Sequence, residues 1–209
     1  MYRFRNIDGL TRMATIMLWV HMVPQLWVGA YLFYHSRPAG QHDAPTATAW
    51  MDQLMLLPLI WAIATVIVMG CWIYRASANA HALAGNLTVR PGWAVGWYFI
   101  PIAHLFKPFD AMKEIWLASH DPRNWQGHAA PLRLLVWWGL WVVTLCLHNM
   151  AGYVADRNWA LAAKLGLTEG VLNVPLCLLL INIVRNVASA QDRAALTFRP
   201  AEQDASGAA

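Results

Sequence analysis

Residues 54–74 read LMLLPLIWAIATVIVMGCWIY, carry no formal charge, and stop at Arg75. A helix crossing a hydrocarbon core ~30 Å thick needs about 20 apolar residues, and this block supplies them. Trp72 and Tyr74 stand just before the arginine, where amphipathic rings favour the bilayer–water boundary. Three further blocks read the same way. Met13–Tyr34 is uncharged, with Pro24 as a kink site. Leu134–Ala155 is uncharged and opens on Trp137, Trp138 and Trp141. Leu167–Val187 holds Glu169 near its start and Arg185 near its end, positions from which a charged head snorkels to the headgroups.

Composition agrees. Of 209 residues, 58% are hydrophobic and 12% charged, against about 25% charged in soluble domains. That leaves too little polar material to cover a water-facing surface of this size. The net charge of +4 would suggest nucleic acid in a soluble protein. Here the cations flank apolar blocks, so membrane orientation and anionic headgroups account for them and no nucleic-acid partner is expected. Arg3, Arg5 and Arg12 precede the first block, but a secretory core is only ~7–15 residues long. The block therefore reads as an uncleaved span. Cys71, Cys146 and Cys177 all fall inside apolar blocks and read as small hydrophobes, with no disulfide framework expected.

A fifth apolar stretch, Trp93–Phe106, is too short to span, and Gly96 and Pro101 interrupt it. Lys107, Asp110, Lys113 and Glu114 follow at once, each costing ~2.5–3.5 kcal/mol at a helix centre in lipid. Residues 93–118 are therefore expected to form a re-entrant or interfacial helical segment. Phe109, Met112 and Trp116 lie opposite Lys107, Asp110 and Glu114, forming an amphipathic helix that lies on lipid or packs on the bundle. With four spans, the short-loop cations fall mostly on one side, leaving only Arg37, Arg157 and Lys164 on the other. The positive-inside rule then places both termini in the cytoplasm. The expected fold class is an all-α integral membrane protein. A single membrane domain, residues 1–191, has spans at about 13–34, 54–74, 134–155 and 167–187, and residues 192–209 form a disordered cytoplasmic tail.

The stretch Arg90-Pro91-Gly92-Trp93-Ala94-Val95-Gly96-Trp97-Tyr98-Phe99-Ile100-Pro101 is the most distinctive in the chain. Tyr74-Arg75-Ala76 and Asn79 precede it; Lys107-Pro108, Glu114-Ile115-Trp116, Ile183-Val184-Arg185 and Gln191 follow. Together these resemble a bacterial multi-pass membrane family, domain of unknown function 4328, over roughly residues 12–191. His104 departs from the family's pattern, where Asn is expected. The resemblance implies a bacterial cytoplasmic-membrane location and carries no activity to transfer.

The strongest candidate site is a polar pocket or clamp made of Arg75, Asn79, Trp93, Trp97, His104, Asp110 and Glu114. Trp72, Arg75 and Asn79 share one helix face, and a guanidinium at the membrane boundary wants a carboxylate, so Arg75–Glu114 is the expected pair. As a pocket the group holds a ligand; as a clamp it holds the re-entrant loop. Gly92 and Gly96 suggest a close backbone approach. His21 and His148 fall inside spans, which makes them functional candidates, including as haem ligands. At ~1.5 Å per residue they lie about 12 and 21 Å into their blocks, an offset that favours hydrogen-bonded packing histidines. His81, His104, His120 and His128 show no metal-ligand spacing, and no nucleophile elbow or phosphate loop is present. No cofactor is expected.

The resulting expectation is a non-enzymatic membrane module that binds a partner, lipid or small ligand at its cytoplasmic-side loops. The alternatives are a small oligomeric transporter or channel, and a haem-binding redox protein. Membrane lipids are the expected partners, with a membrane-protein partner or a homo-oligomer beside them.

Overall fold

The computed structural model describes residues 2–35 and 56–207, and these are all-helical with no strand. Six helices occur among them: α1 (Asp8–His35), α2 (Leu56–Leu83), α3 (Pro91–Gly96), α4 (Lys107–His120), α5 (Leu132–Val154) and α6 (Trp159–Gly207). Four of these, α1, α2, α5 and α6, are long and apolar enough to cross a membrane. The expected loop after His35, with Arg37, and the expected span start at Leu54 lie outside the described residues.

The long helices overrun the apolar blocks. α2 continues past Tyr74 because Ala76, Ser77, Ala78, Asn79 and Ala80 are all buried. Small side chains there let the helix pack against protein where its apolar block has ended. α6 begins at Trp159, ahead of Leu167, and runs past Gln191 to Gly207. Val187, Ala188, Ala190 and Gln191 are buried, so packing extends the helix beyond its apolar span. Asn6 starts α1: its Oδ1 accepts the Asp8 N–H at 2.9 Å.

The chain divides into two compact units. One contains residues 16–67 and 136–180, the apolar middles of the long helices. There α1 and α6 approach at glycines. A methyl added at Gly170 would lie 2.8 Å from the Gln25 carbonyl oxygen, and one at Gly29 would lie 3.1 Å from that of Gly166. Gly166 and Gly170 are a small-xxx-small pair on α6. Gly92, by contrast, faces open space, and a methyl on Gly96 would meet only the nearby Trp93 ring. The close approach therefore falls on α6 and not on α3. Leu56, Leu57, Ile60, Ile63, Val66 and Ile67 of α2 are exposed, the surface that a hydrocarbon solvent demands. Cys146 is exposed here and Cys177 buried.

The other unit contains residues 1–15, 68–135 and 181–209. It gathers the start of α1, the end of α2, all of α3 and α4, the start of α5 and the end of α6. This lobe contains the irregular segment. Pro91 opens α3 at the position where its missing N–H costs nothing. Helix then gives way to a 3-10 turn, Trp97–Phe99, and Ile100 is extended, as the residue before Pro101 must be. Ile102 turns the chain with φ 68° and ψ −51°, a conformation costly for a β-branched residue. A second 3-10 turn, Ala103–Leu105, leads into α4. The breaks in this segment thus coincide with Pro101 and its two neighbours. The apolar face of α4 is buried in the lobe: Met112 and Ile115 are each 1% exposed and Trp116 is 7%. Of the two settings expected for this amphipathic helix, packing on protein is the one observed.

Candidate functional site

A buried amide network organises the lobe. Asn79 is 1% exposed and Gln191 0%. The Asn79 Nδ2 donates to the Arg5 carbonyl at 2.8 Å and to Gln191 Oε1 at 3.0 Å, while its Oδ1 accepts the Arg5 N–H at 3.0 Å. Gln191 Nε2 donates to the Ala76 carbonyl at 2.8 Å and to Ser119 Oγ at 3.0 Å. Ser119 Oγ in turn donates to the Ile115 carbonyl at 2.6 Å. Both amides therefore use both donor hydrogens and their oxygen. Such a closed network ties the N-terminal segment, α2, α4 and α6 together and offers nothing to a ligand. Nearby, Trp72 Nε1 donates to Thr11 Oγ1 at 3.0 Å, joining α2 to α1.

Glu114 has a different partner from the one the sequence suggests. Its carboxylate accepts the backbone N–H groups of Thr88 at 3.0 Å and Val89 at 3.1 Å, and the Thr88 hydroxyl as well. It therefore pins the turn after α2, which His81 also holds through the Val89 carbonyl at 3.0 Å. Arg75 is half-buried and makes no ion pair with Glu114. Trp125 Nε1 donates to the Gly85 carbonyl at 3.1 Å, closing the α4–α5 loop over the same turn. Ala80, Ala84 and Ala118 pack tightly beneath, with Leu87 and Trp125 against them.

These ties leave a pocket of about 290 Å³ on the polar face of α4. Its lining includes Lys107, Asp110, Lys113 and Glu114 from α4, Thr88 and Val89 from the turn, and Trp125 and His128 from the loop. Lys107 and Asp110 form an ion pair at 3.6 Å, one helical turn apart and half-exposed. Lys113 has no ion-pair partner among the described residues. Alternating charge beside an indole wall suits a small polar or zwitterionic group.

The structure thus brings Asp110 and Glu114 together, sets Asn79 in the buried network, and leaves Arg75 outside the pocket. Trp93 and Trp97 pack on one another, centroids 4.7 Å apart. His104 sits in the broken segment with Nδ1 3.4 Å from the Ile100 carbonyl. His21 Nε2 lies 3.2 Å from Gln25 Nε2 on α1. His148 Nδ1 lies 3.3 Å from the Glu169 carboxylate, bridging α5 and α6. Among the described residues no group of His, Cys, Asp or Glu is placed to hold a metal ion.

A second cluster lies toward the end of α4. Trp116 stacks on His120, centroids 4.2 Å apart and planes 18° apart. The Arg133 guanidinium lies over the same indole, 5.1 Å from its centroid, and donates to Asn182 Oδ1 at 3.3 Å. Burial lowers the His120 pKa from its ordinary value; its Nδ1 contact with the Trp116 carbonyl opposes that, and the Arg193 and Arg133 charges add to it. Charge-pair counting along the sequence misses Thr88, Lys113, Trp125, Gln191 and this cluster, although the 107/110/113/114 spacing on one helical face was there to read.

No curated protein and no solved structure matches the chain. The model of one family, "Domain of unknown function (DUF4328)", matches residues 37–189. The match begins after α1 and stops short of Gln191, a narrower stretch than the resemblance over residues 12–191. On that match the protein belongs to the family of domain of unknown function 4328.

Proposed function

We propose that the protein is a non-enzymatic module of the bacterial cytoplasmic membrane, with four spans, both termini in the cytoplasm, and a cytoplasmic lobe that binds a small polar ligand. The observation that carries the reading is the pocket on α4, with Lys107, Asp110, Lys113 and Glu114 on one side and Trp125 and His128 on the other. A polar side chain of a membrane-protein partner is the alternative occupant. The orientation draws on the positive-inside distribution of cations. The broken segment supports a re-entrant or interfacial role for residues 93–106. Trp93, Phe99, Ile102 and Phe106 are 50 to 74% exposed, a large apolar surface for water to face and an ordinary one for lipid.

Thermal unfolding of the full-length protein in detergent, with free amino acids and dicarboxylates as probes, tests the pocket. A probe present at 100 times its Kd stabilises the fold by about 2.7 kcal/mol. Lys113→Gln is expected to abolish that stabilisation and to leave unliganded unfolding unchanged. A stabilisation that survives the substitution removes the pocket's support.

A second reading, a small oligomeric transporter or channel, draws on His148 and Glu169. They form an ionisable pair between two span-length helices, and such residues commonly mark ion pathways.

A further inference from the structure

We propose that Glu169 and His148 form a proton-binding site inside the membrane. The proposal rests on the transporter or channel reading, which calls for an ion pathway, and it names the ion. The His148 imidazole Nδ1 lies 3.3 Å from the Glu169 carboxylate, and the contact joins α5 to α6. Both residues belong to the unit of residues 16–67 and 136–180.

Glu169 lies deeper than its place at the edge of the 167–187 block implies. α6 begins at Trp159, which sets Glu169 about 15 Å along the helix. The neighbouring Gly170 meets the Gln25 carbonyl so closely that an added methyl would stand 2.8 Å from it. Gln25 is about 18 Å into the apolar block that starts at Met13, and His148 is about 21 Å into its own. Three helices thus agree on a depth within a hydrocarbon core ~30 Å thick.

An isolated charge at that depth is costly. A carboxylate and an imidazole that share one proton are neutral as a pair. Removing that proton leaves a net negative charge, and adding another leaves a net positive one, so the two groups titrate as a unit. A hard metal cation takes about six oxygen ligands, and among the described residues no group of three His, Cys, Asp or Glu is placed to supply them. A proton needs only the two groups that are here.

The His148 side chain is 73% exposed and that of Glu169 21%. The imidazole therefore stands at the edge of the bundle, about 9 Å from the end of α5 at Val154. Toward the start of α1 the next titratable group is His21. With Gln25 Nε2 donating to His21 Nε2 at 3.2 Å, the ring proton falls on Nδ1, which is buried and has no partner among the described residues. An internal water is what satisfies such a donor. Lys164 stands on α6 ahead of Glu169, and Tyr153 on α5 lies beneath the Arg157 guanidinium, 5.1 Å away. The Cys177 thiol is spent on Asn173 Oδ1 at 3.1 Å, and α2 carries no titratable group between residues 56 and 67.

Infrared titration of the full-length protein in lipid nanodiscs gives the test. In the wild type the imidazole and carboxylate bands are expected to change together at one midpoint. His148→Gln is expected to move the carboxylate midpoint by about one pH unit, or about tenfold in proton affinity. Glu169→Gln keeps an acceptor for the imidazole, and so keeps the bridge, yet removes that carboxylate band from the titration. If Glu169→Gln does not fold, His148→Gln decides alone, because its side chain is mostly exposed. A wild-type carboxylate midpoint in His148→Gln, or a full set of carboxylate bands in Glu169→Gln, overturns the site. A midpoint that moves with sodium concentration at constant ionic strength overturns the proton assignment and gives the site to a metal cation. Proton flux into liposomes under a potassium diffusion potential tests the underlying reading separately. Coupled titration without a flux that depends on Glu169 supports the proton site and removes the transporter or channel reading.

Discussion

Gln191 bears more on this fold than any charged residue. It is fully buried, and its amide reaches α2, α4 and Asn79 together. Gln191→Leu keeps the volume and removes every one of those bonds, leaving an Asn79 N–H buried without a partner and the Ala76 carbonyl with its helical bond alone. Orphaned buried groups cost about 1–3 kcal/mol. The expected result is a loss of that size in denaturant unfolding of the purified protein, while Ser189→Ala, an exposed change on the same helix, stays close to wild type. Equal stability of the two variants would show that the network is slack. At this scale the sequence was only partly legible. Asn79 and Gln191 stand out as residues, yet they are 112 positions apart, and no local spacing pairs them. Glu114 stood out as a residue of a pocket or clamp, but its partners were not legible. Its donors are backbone N–H groups at Thr88 and Val89, which counting opposite charges cannot find.

At the scale of elements, the four span-length helices were legible because lipid imposes one crude requirement: an uncharged run long enough to cross. Their ends were not. α2 and α6 continue on small or amide side chains that are buried by protein, and hydropathy does not register that kind of burial. Pro101 announced the break in the 93–106 stretch, and the structure puts the cost one residue later, at Ile102. The α1–α6 contact was written in Gly166 and Gly170, but the apolar block begins at Leu167 and cuts the motif in two. The consequence is direct. Gly170→Ala puts a methyl 2.8 Å from a backbone oxygen, and forcing helices apart costs about 1–3 kcal/mol. Gly152→Ala, with nothing within 4 Å of the added carbon, is expected to be neutral. Unfolding of both variants in a mixed-micelle titration checks this, and a Gly170→Ala protein as stable as Gly152→Ala would refute the close contact.

For the whole molecule, the division into two units has a topological meaning. The start of α1, the end of α2, the start of α5 and the end of α6 all belong to one unit, an arrangement that fits the up-down-up-down path proposed above. Which compartment holds that unit is a matter of charge. With Cys71, Cys146 and Cys177 replaced by Ala, Asp121→Cys is expected to react with a membrane-impermeant maleimide only in inside-out vesicles. Arg157→Cys is expected to react only in right-side-out vesicles. The reverse pattern would invert the orientation proposed above.

The Asn79–Gln191 bond also orders events in time. Asn79 is made early in synthesis, with its hydrogen-bonding groups destined for a buried position. The residue that completes its set is made more than a hundred positions later. Until residue 191 is made, the hydrogen that Asn79 gives to Gln191 has to be satisfied by water or by another chain. A chain that stops short of that residue lacks the acceptor that closes the network.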